Sequence, residues 1–198
     1  MKNIYLIGMM GSGKSTVGKL LAHRLNYQFF DTDQYIEEKT GRKIPEIIRT
    51  DGYNKFAELE LSALLAAPIH QCIVSTGGKT YLDKKCREFI DKTGKIAFLN
   101  VTLEEIEKRL TPEEIAKRSI QVSGKDLTGA LDAIRKERFH IYRSGPAIEV
   151  DGVGTPDQIC DRILGGFADE KIREALSKGI KLGGIQEAPP EGGIKEGT

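Results

Sequence analysis

Residues Gly8-Met9-Met10-Gly11-Ser12-Gly13-Lys14-Ser15 fit the pattern G-x-x-x-x-G-K-[ST]. Each position answers a chemical need. The glycines let the backbone turn so that successive N–H groups face inward at phosphate oxygens. A helix starting at the lysine adds the partial positive charge of its N-terminus. Lys14 can reach terminal phosphates, and Ser15 offers a hydroxyl to Mg²⁺. A glycine-rich turn that binds nothing has no use for this lysine and serine. The pattern reads as a site for a nucleoside triphosphate with magnesium, at Gly11, Ser12, Gly13, Lys14, Ser15 and Thr16.

Two further groups of residues bear on the reaction. Asp31-Thr32-Asp33 closes a short apolar stretch, where an open α/β sheet places its ligands. Strand alternation would turn Asp31 and Asp33 to the same side, near the phosphate loop. One carboxylate could hold metal-bound water and the other accept a proton from an attacking hydroxyl. The competing use is an Asp that caps the helix beginning near Asp33. Arg138 is the second group. Leu127, Leu131, Ile134 and Ile141 share one helical face, and Arg138 falls in the middle of it. A guanidinium there needs a partner. That partner is an internal carboxylate or a ligand's carboxylate or phosphate.

These residues need a frame to bring them together. Asn3–Gly8, Gln28–Asp31, Cys72–Thr76, Lys95–Val101 and Ile148–Asp151 are short apolar runs of the kind that form buried parallel strands. Between them run amphipathic stretches. Lys14–Leu25 and Asp33–Thr40 read as helices, the second stopping at Gly41. Another follows Gly52 and carries Phe56, Leu59, Ala63 and Leu64 on one side. Helices are also expected over Asp83–Thr93, Leu103–Leu110, Pro112–Arg118 and Leu127–Tyr142. The last, Thr155–Leu164, is capped by Thr155 with Pro156 at its first position, and ends at Gly165-Gly166. Strands alternating with helices predict an α/β fold around a mostly parallel sheet. The expected folded domain spans 1–167. Residues 168–198 form a polar, Gly- and Pro-containing tail, within which Ala168–Lys178 could extend as helix.

Composition narrows the class. Thirty Lys and Arg stand against 29 Asp and Glu, a formal net charge of +1. A globally basic nucleic-acid binder is not indicated. No apolar run approaches the ~18 residues of a membrane span. The start lacks the apolar core and cleavage site of a secretion signal. Cys72, Cys86 and Cys160 are odd in number and far apart, as in reduced thiols of a cytoplasmic protein. No N-K-x-D reads guanine, no LSGGQ marks a transport ATPase, and the chain is too short for a helicase or motor core. A small cytoplasmic phosphotransferase is the leading class, with a monomer as the expectation for its assembly.

The chain is similar to the shikimate kinase family of small P-loop kinases. The resemblance rests on GMMGSGKSTVGKLLA, on FFDTDQYIEEKTGRKIPEI, and on D-G-x-x-x-F-x-x-x-E from Asp51 to Glu60. It continues in STGG at Ser75–Gly78, in Arg118, and in R-x-x-x-Y at Arg138–Tyr142. It covers about Met1–Leu164. It implies a three-layer P-loop kinase fold, a five-stranded parallel sheet flanked by helices, with a mobile lid. It implies transfer of the ATP γ-phosphoryl to a ring hydroxyl of shikimate, with Mg²⁺. Asp33 would contact the acceptor hydroxyl and Asp31 would support Mg²⁺ through water. Gly77 and Gly78 would line the acceptor pocket. Arg118 would come from the lid to the ATP phosphates, Arg109 would lie beside the adenine, and Arg138 would hold the acceptor carboxylate.

The acceptor half departs from the family pattern. Ala57 stands where an arginine clamps the shikimate carboxylate, a contact that alanine cannot make. Lys79 stands where a third glycine is usual, and Tyr53 where a glutamate is usual. Ser119-Ile120-Gln121 replaces Pro-Leu-Leu in the lid, and His140 replaces a proline. Either Lys79 supplies the charge missing at Ala57, or the acceptor is a different small hydroxylated molecule, or Lys79 faces solvent. A nucleotide-binding protein without turnover is the reading from another class, and retention of Asp31, Asp33 and Arg118 argues against it.

Overall fold

Asn3–Ile7 (β1) lies at the centre of the computed structural model, which describes residues 2–110 and 127–177, with side chains to Ala168. Arg118, Ser119-Ile120-Gln121, the helix expected over Pro112–Arg118 and the tail beyond Ser177 lie outside the described residues. The other strands are Gln28–Asp31 (β2), Cys72–Ser75 (β3), Gly94–Asn100 (β4) and Ile148–Asp151 (β5). They form one sheet in the order β2-β3-β1-β4-β5, and every pairing is parallel. β1 is buried along its whole length, so it has no polar face to show and must sit mid-sheet. Among the described residues the helices are Lys14–Leu25 (α1), Thr32–Thr40 (α2), Ile44–Ala66 (α3), Lys84–Thr93 (α4), Leu103–Arg109 (α5), Leu127–Tyr142 (α6) and Pro156–Ser177 (α7).

Alternation along the strands divides the core in two. Tyr5 and Ile7 of β1, with Ile96 and Phe98 of β4, face the layer holding α4, α5 and α6. Ile4, Leu6, Ala97 and Leu99 face α1 and α7. The result is the expected three-layer α/β architecture. A third small core of Ile36, Ile47, Phe56 and Ala63 joins α2 to α3 beyond the edge of the sheet.

Three local expectations need correction. The stretch from Ile44 to Asp51 is helical, and α3 continues past it after a kink at Gly52, whose φ of 81° breaks the helical path. Residues from Lys14 to Leu25 and from Thr32 to Thr40 match their expected limits, with Gly41 ending α2 at φ 66°. Second, Gly165-Gly166 does not end the last helix; α7 runs on to Ser177. Gly166 serves packing instead: a Cβ on it would come within 2.8 Å of Ile148 Cδ1, whereas one on Gly165 would meet nothing within 4 Å. The limit expected at residue 167 therefore falls inside a helix, although Phe167 is buried and Ala168 exposed. Third, the strand at the acidic pair stops at Asp31, with consequences for the site.

Candidate active site

The loops after β1, β2 and β3 gather at the carboxyl end of the sheet, the usual ligand-binding edge of an open α/β fold. The loop after β1 runs through positive φ at Gly8, Gly11 and Gly13. At Gly8 a side chain is also sterically excluded, since its Cβ would lie 2.8 Å from the Leu99 carbonyl oxygen. Gly13 caps α1 with no side-chain hydrogen bond, leaving the first N–H groups of the helix for a ligand. Lys14 Nζ donates to the carbonyls of Gly8 (3.0 Å) and Met9 (2.8 Å), folded back along the loop it would leave for a phosphate.

Ser15 Oγ donates to Asp31 Oδ2 at 2.6 Å and lies 3.2 Å from Ser75 Oγ. Asp31 also caps α2, its Oδ1 accepting from the backbone N–H groups of Asp33 and Gln34. The capping use and the site use are thus the same carboxylate, one oxygen each. Alternation does not bring Asp33 alongside, because Asp33 is already in the first turn of α2. Its Oδ1 lies instead beside Gly77, where an added Cβ would meet it at 2.7 Å. Ser15, Asp31 and Ser75 form a set of hard oxygen donors, the kind that suits Mg²⁺ shared with phosphates. On the far side of the loop, Arg109 is held by Glu105 at 3.0 Å and reaches the carbonyls of Ser12 (3.4 Å) and Gly152 (3.1 Å). Thr16 is exposed on α1.

The second half of the site lies around Gly77 and Gly78. A Cβ on Gly77 would meet Asp33 Oδ1 at 2.7 Å, Glu60 Oε1 at 2.9 Å and Thr80 Oγ1 at 3.0 Å. Two carboxylates from different helices therefore converge on a glycine that has no room to change. A Cβ on Gly78 would lie 3.6 Å from Arg138 Nη1, so Arg138 borders the same loop. Tyr142, one turn further along α6, donates to the Gly78 carbonyl at 2.6 Å and pins it. Burial raises the Tyr142 hydroxyl to about 12, so it stays a donor. Arg138 is only 4 % exposed, and its Nε has no hydrogen-bond partner. A buried guanidinium with an orphaned N–H carries a cost that an anion would relieve. Lys79 is half-buried, with its ammonium over the Tyr53 ring. His23, His70 and His140 are exposed.

Glu60 belongs to this group, and its part is not apparent from the sequence pattern alone. It is 2 % exposed and accepts a hydrogen bond from Thr80 Oγ1 at 2.6 Å. Burial first, and then the nearby Asp33 charge, raise its pKa to about 7. The signal that could have found it is the one that found Arg138: a charge on the apolar face of a helix, with Phe56, Ala63 and Leu64. A carboxyl raised on folding binds its proton more tightly in the folded state. Its contribution to stability is present below the unfolded pKa of 4.5 and is lost as pH rises through about 7. Glu60→Gln should remove that loss and raise stability at pH 8 relative to pH 5 by up to about 3 kcal/mol, at 1.36 kcal/mol per pKa unit. Urea unfolding at the two pH values measures it. Equal pH dependence in the wild type and the variant would show that Glu60 does not titrate there.

The phosphate loop, the Ser15–Asp31 pair and a facing pocket with Asp33 and a buried arginine define a P-loop phosphotransferase acting on a hydroxyl group. The family model described as "Shikimate kinase" matches residues 10–167. A shikimate kinase of Sulfurihydrogenibium sp. is 38% identical over 169 residues, 83% of this chain and 96% of the relative. One from Rippkaea orientalis is 37% identical over 167 residues, 82% of this chain and 86% of the relative. The structure of the Acinetobacter baumannii shikimate kinase in complex with shikimate superposes with a TM-score of 0.77 at 31% identity, covering 87% of this chain and 96% of that one. The chain belongs to the shikimate kinase family. Among the described residues, no helix is long and apolar enough to cross a membrane.

Proposed function

We propose that this chain transfers the γ-phosphoryl group of ATP to a ring hydroxyl of shikimate. The observation that carries the acceptor reading is Arg138, buried beside Gly78 with its Nε unsatisfied, at the pocket that also holds Asp33. An acceptor bearing a carboxylate and a hydroxyl bridges the two. The relatives whose names specify shikimate support that choice.

The residues then divide the work. Gly11, Ser12, Gly13 and Thr16 with Lys14 and Ser15 bind the triphosphate. Lys14 exchanges the Gly8 and Met9 carbonyls for phosphate oxygens, gaining a charged partner for two neutral ones. Ser15 and Asp31 hold Mg²⁺, which neutralises phosphate charge when bound. Arg109 borders the adenine side of the loop. Asp33 orients the acceptor hydroxyl and takes its proton as the new P–O bond forms and the bond from the γ-phosphorus to the bridging oxygen breaks, releasing ADP. Gly77, Gly78, Lys79 and Arg138 form the acceptor pocket. Arg118, by the resemblance, closes on the transferring group from the lid and offsets its charge with Lys14. The free, buried Cys72, Cys86 and Cys160 suit a reducing, cytoplasmic compartment, where the chain works as a monomer.

A coupled assay of ATP consumption with Mg²⁺, with and without shikimate, tests the reading. Saturable turnover that needs shikimate is the expected result. ATP binding without shikimate turnover overturns it. Activity on another hydroxy acid in a parallel panel would then point to a different acceptor, the reading that Ala57 favours.

A further inference from the structure

Tyr53 and Lys79 come from different elements and meet at the acceptor side of the molecule. Tyr53 sits one residue past the kink of α3, and Lys79 follows the two glycines after β3. Lys79 Nζ stands 4.0 Å from the centre of the Tyr53 ring. At that distance the ring quadrupole attracts the ammonium and restricts an otherwise freely moving side chain. The ring itself does little for the core, since Tyr53 is 52 % exposed.

The location says what the charge is for. Gly78 borders Arg138, and Lys79 is the next residue of the same loop. Tyr53 and Ala57 are four residues apart on the same face of α3. Lys79 therefore projects its charge onto the helix wall that carries Ala57 and, further on, the buried Glu60. The charge reaches that wall, because Lys79 favours the ionised form of Glu60. An anionic acceptor entering this pocket faces two acidic side chains, Asp33 and Glu60, which converge on Gly77. Arg138 offsets one of them. Lys79 is placed to offset the other.

We propose that Tyr53 is a positioning residue for acceptor specificity: its ring holds the Lys79 ammonium at the pocket rim, where Lys79 and Arg138 together read the carboxylate of an acidic acceptor. The proposal rests on the hydroxy-acid reading above and names how this chain achieves it without a guanidinium at Ala57.

The test compares shikimate with its neutral methyl ester. Affinity is measured by calorimetry on the ADP-loaded protein, so that it does not depend on turnover, and KM and kcat are measured alongside. Tyr53→Leu and Lys79→Gln should each weaken shikimate binding by about fivefold to tenfold, with ester affinity and ATP KM unchanged. The double variant should be no weaker than Lys79→Gln alone. Tyr53→Phe, which keeps the ring face, should match the wild type. Ala57→Arg in the Lys79→Gln background should restore discrimination of acid from ester. Unchanged shikimate affinity in Tyr53→Leu, equal loss for acid and ester, or additive effects in the double variant would overturn the proposal; wild-type turnover of shikimate would leave the function reading standing. A wild type that prefers the acid through Lys79 yet transfers no phosphoryl group would overturn the function reading alone. A wild type that binds neither form would overturn both.

Discussion

Asp33→Asn should lower kcat by about a thousandfold, within the range a positioned general base contributes, and leave the KM for ATP within about twofold. The reason for the split is geometric. Asp33 lies in the first turn of α2 with its Oδ1 beneath Gly77, and the triphosphate of the proposed reaction is received by the loop backbone from Gly8 to Gly13. Ser15 and Asp31 are bonded to each other and do not depend on the Asp33 side chain. The asparagine keeps the volume of the carboxylate beneath Gly77, where there is no spare room. It cannot take the proton from the acceptor hydroxyl. Stability should not fall, because one of two converging carboxyl groups becomes neutral. The pKa of Glu60 should also move down from about 7, since the Asp33 charge helps to raise it. Single-turnover kinetics with and without acceptor, paired with a thermal melt, measure both effects. A loss in kcat below tenfold would place the proton acceptor elsewhere.

Arg138→Met should raise the acceptor KM by about a hundredfold or more, as losing a buried, charge-assisted contact typically does. The same substitution should stabilise the folded protein by about 1–4 kcal/mol. Opposite signs follow from one fact. Arg138 is 4 % exposed on the apolar face of α6, and its Nε lacks a partner although its side chain also bonds to the Tyr142 hydroxyl. The folded enzyme carries that unsatisfied group at a cost, and a bound carboxylate removes it. Methionine fills similar volume without the desolvation penalty. Tyr142 keeps its hydrogen bond to the Gly78 carbonyl, so the loop stays in place. Urea unfolding and acceptor kinetics on the one variant test both halves. A higher KM accompanied by lower stability would mean that the guanidinium holds the fold together and that its effect on the acceptor is indirect.

The phosphate site was legible in the sequence because its chemistry lies in eight adjacent residues, and adjacency survives folding. The five strands were legible because buried parallel strands are short continuous apolar runs. Arg138 stood out because helical periodicity is local, and a charge on an apolar face breaks it. Glu60 carries the same local signal in α3. Its meaning is not local: it depends on Gly77, on Thr80 and on Asp33, which reach it only when β3 lies beside β2. Asp31 shows the limit in another way. Capping and site contact look like rival uses in one dimension, and the folded chain caps α2 with one carboxylate oxygen and gives the other to Ser15. The glycines at 165 and 166 read as a stop signal, yet the helix runs on through them and Gly166 packs closely against Ile148.

The class of fold, the glycine-rich loop after β1 and the arginine buried on an apolar helix face were thus readable along the chain. These rest on adjacency and on helical or strand period, which belong to the chain before it folds. Only the tertiary structure decided that Asp33 and Glu60 share one glycine and that Lys79 lies over Tyr53. Such contacts join side chains distant along the chain, and sheet order and helix packing bring them together.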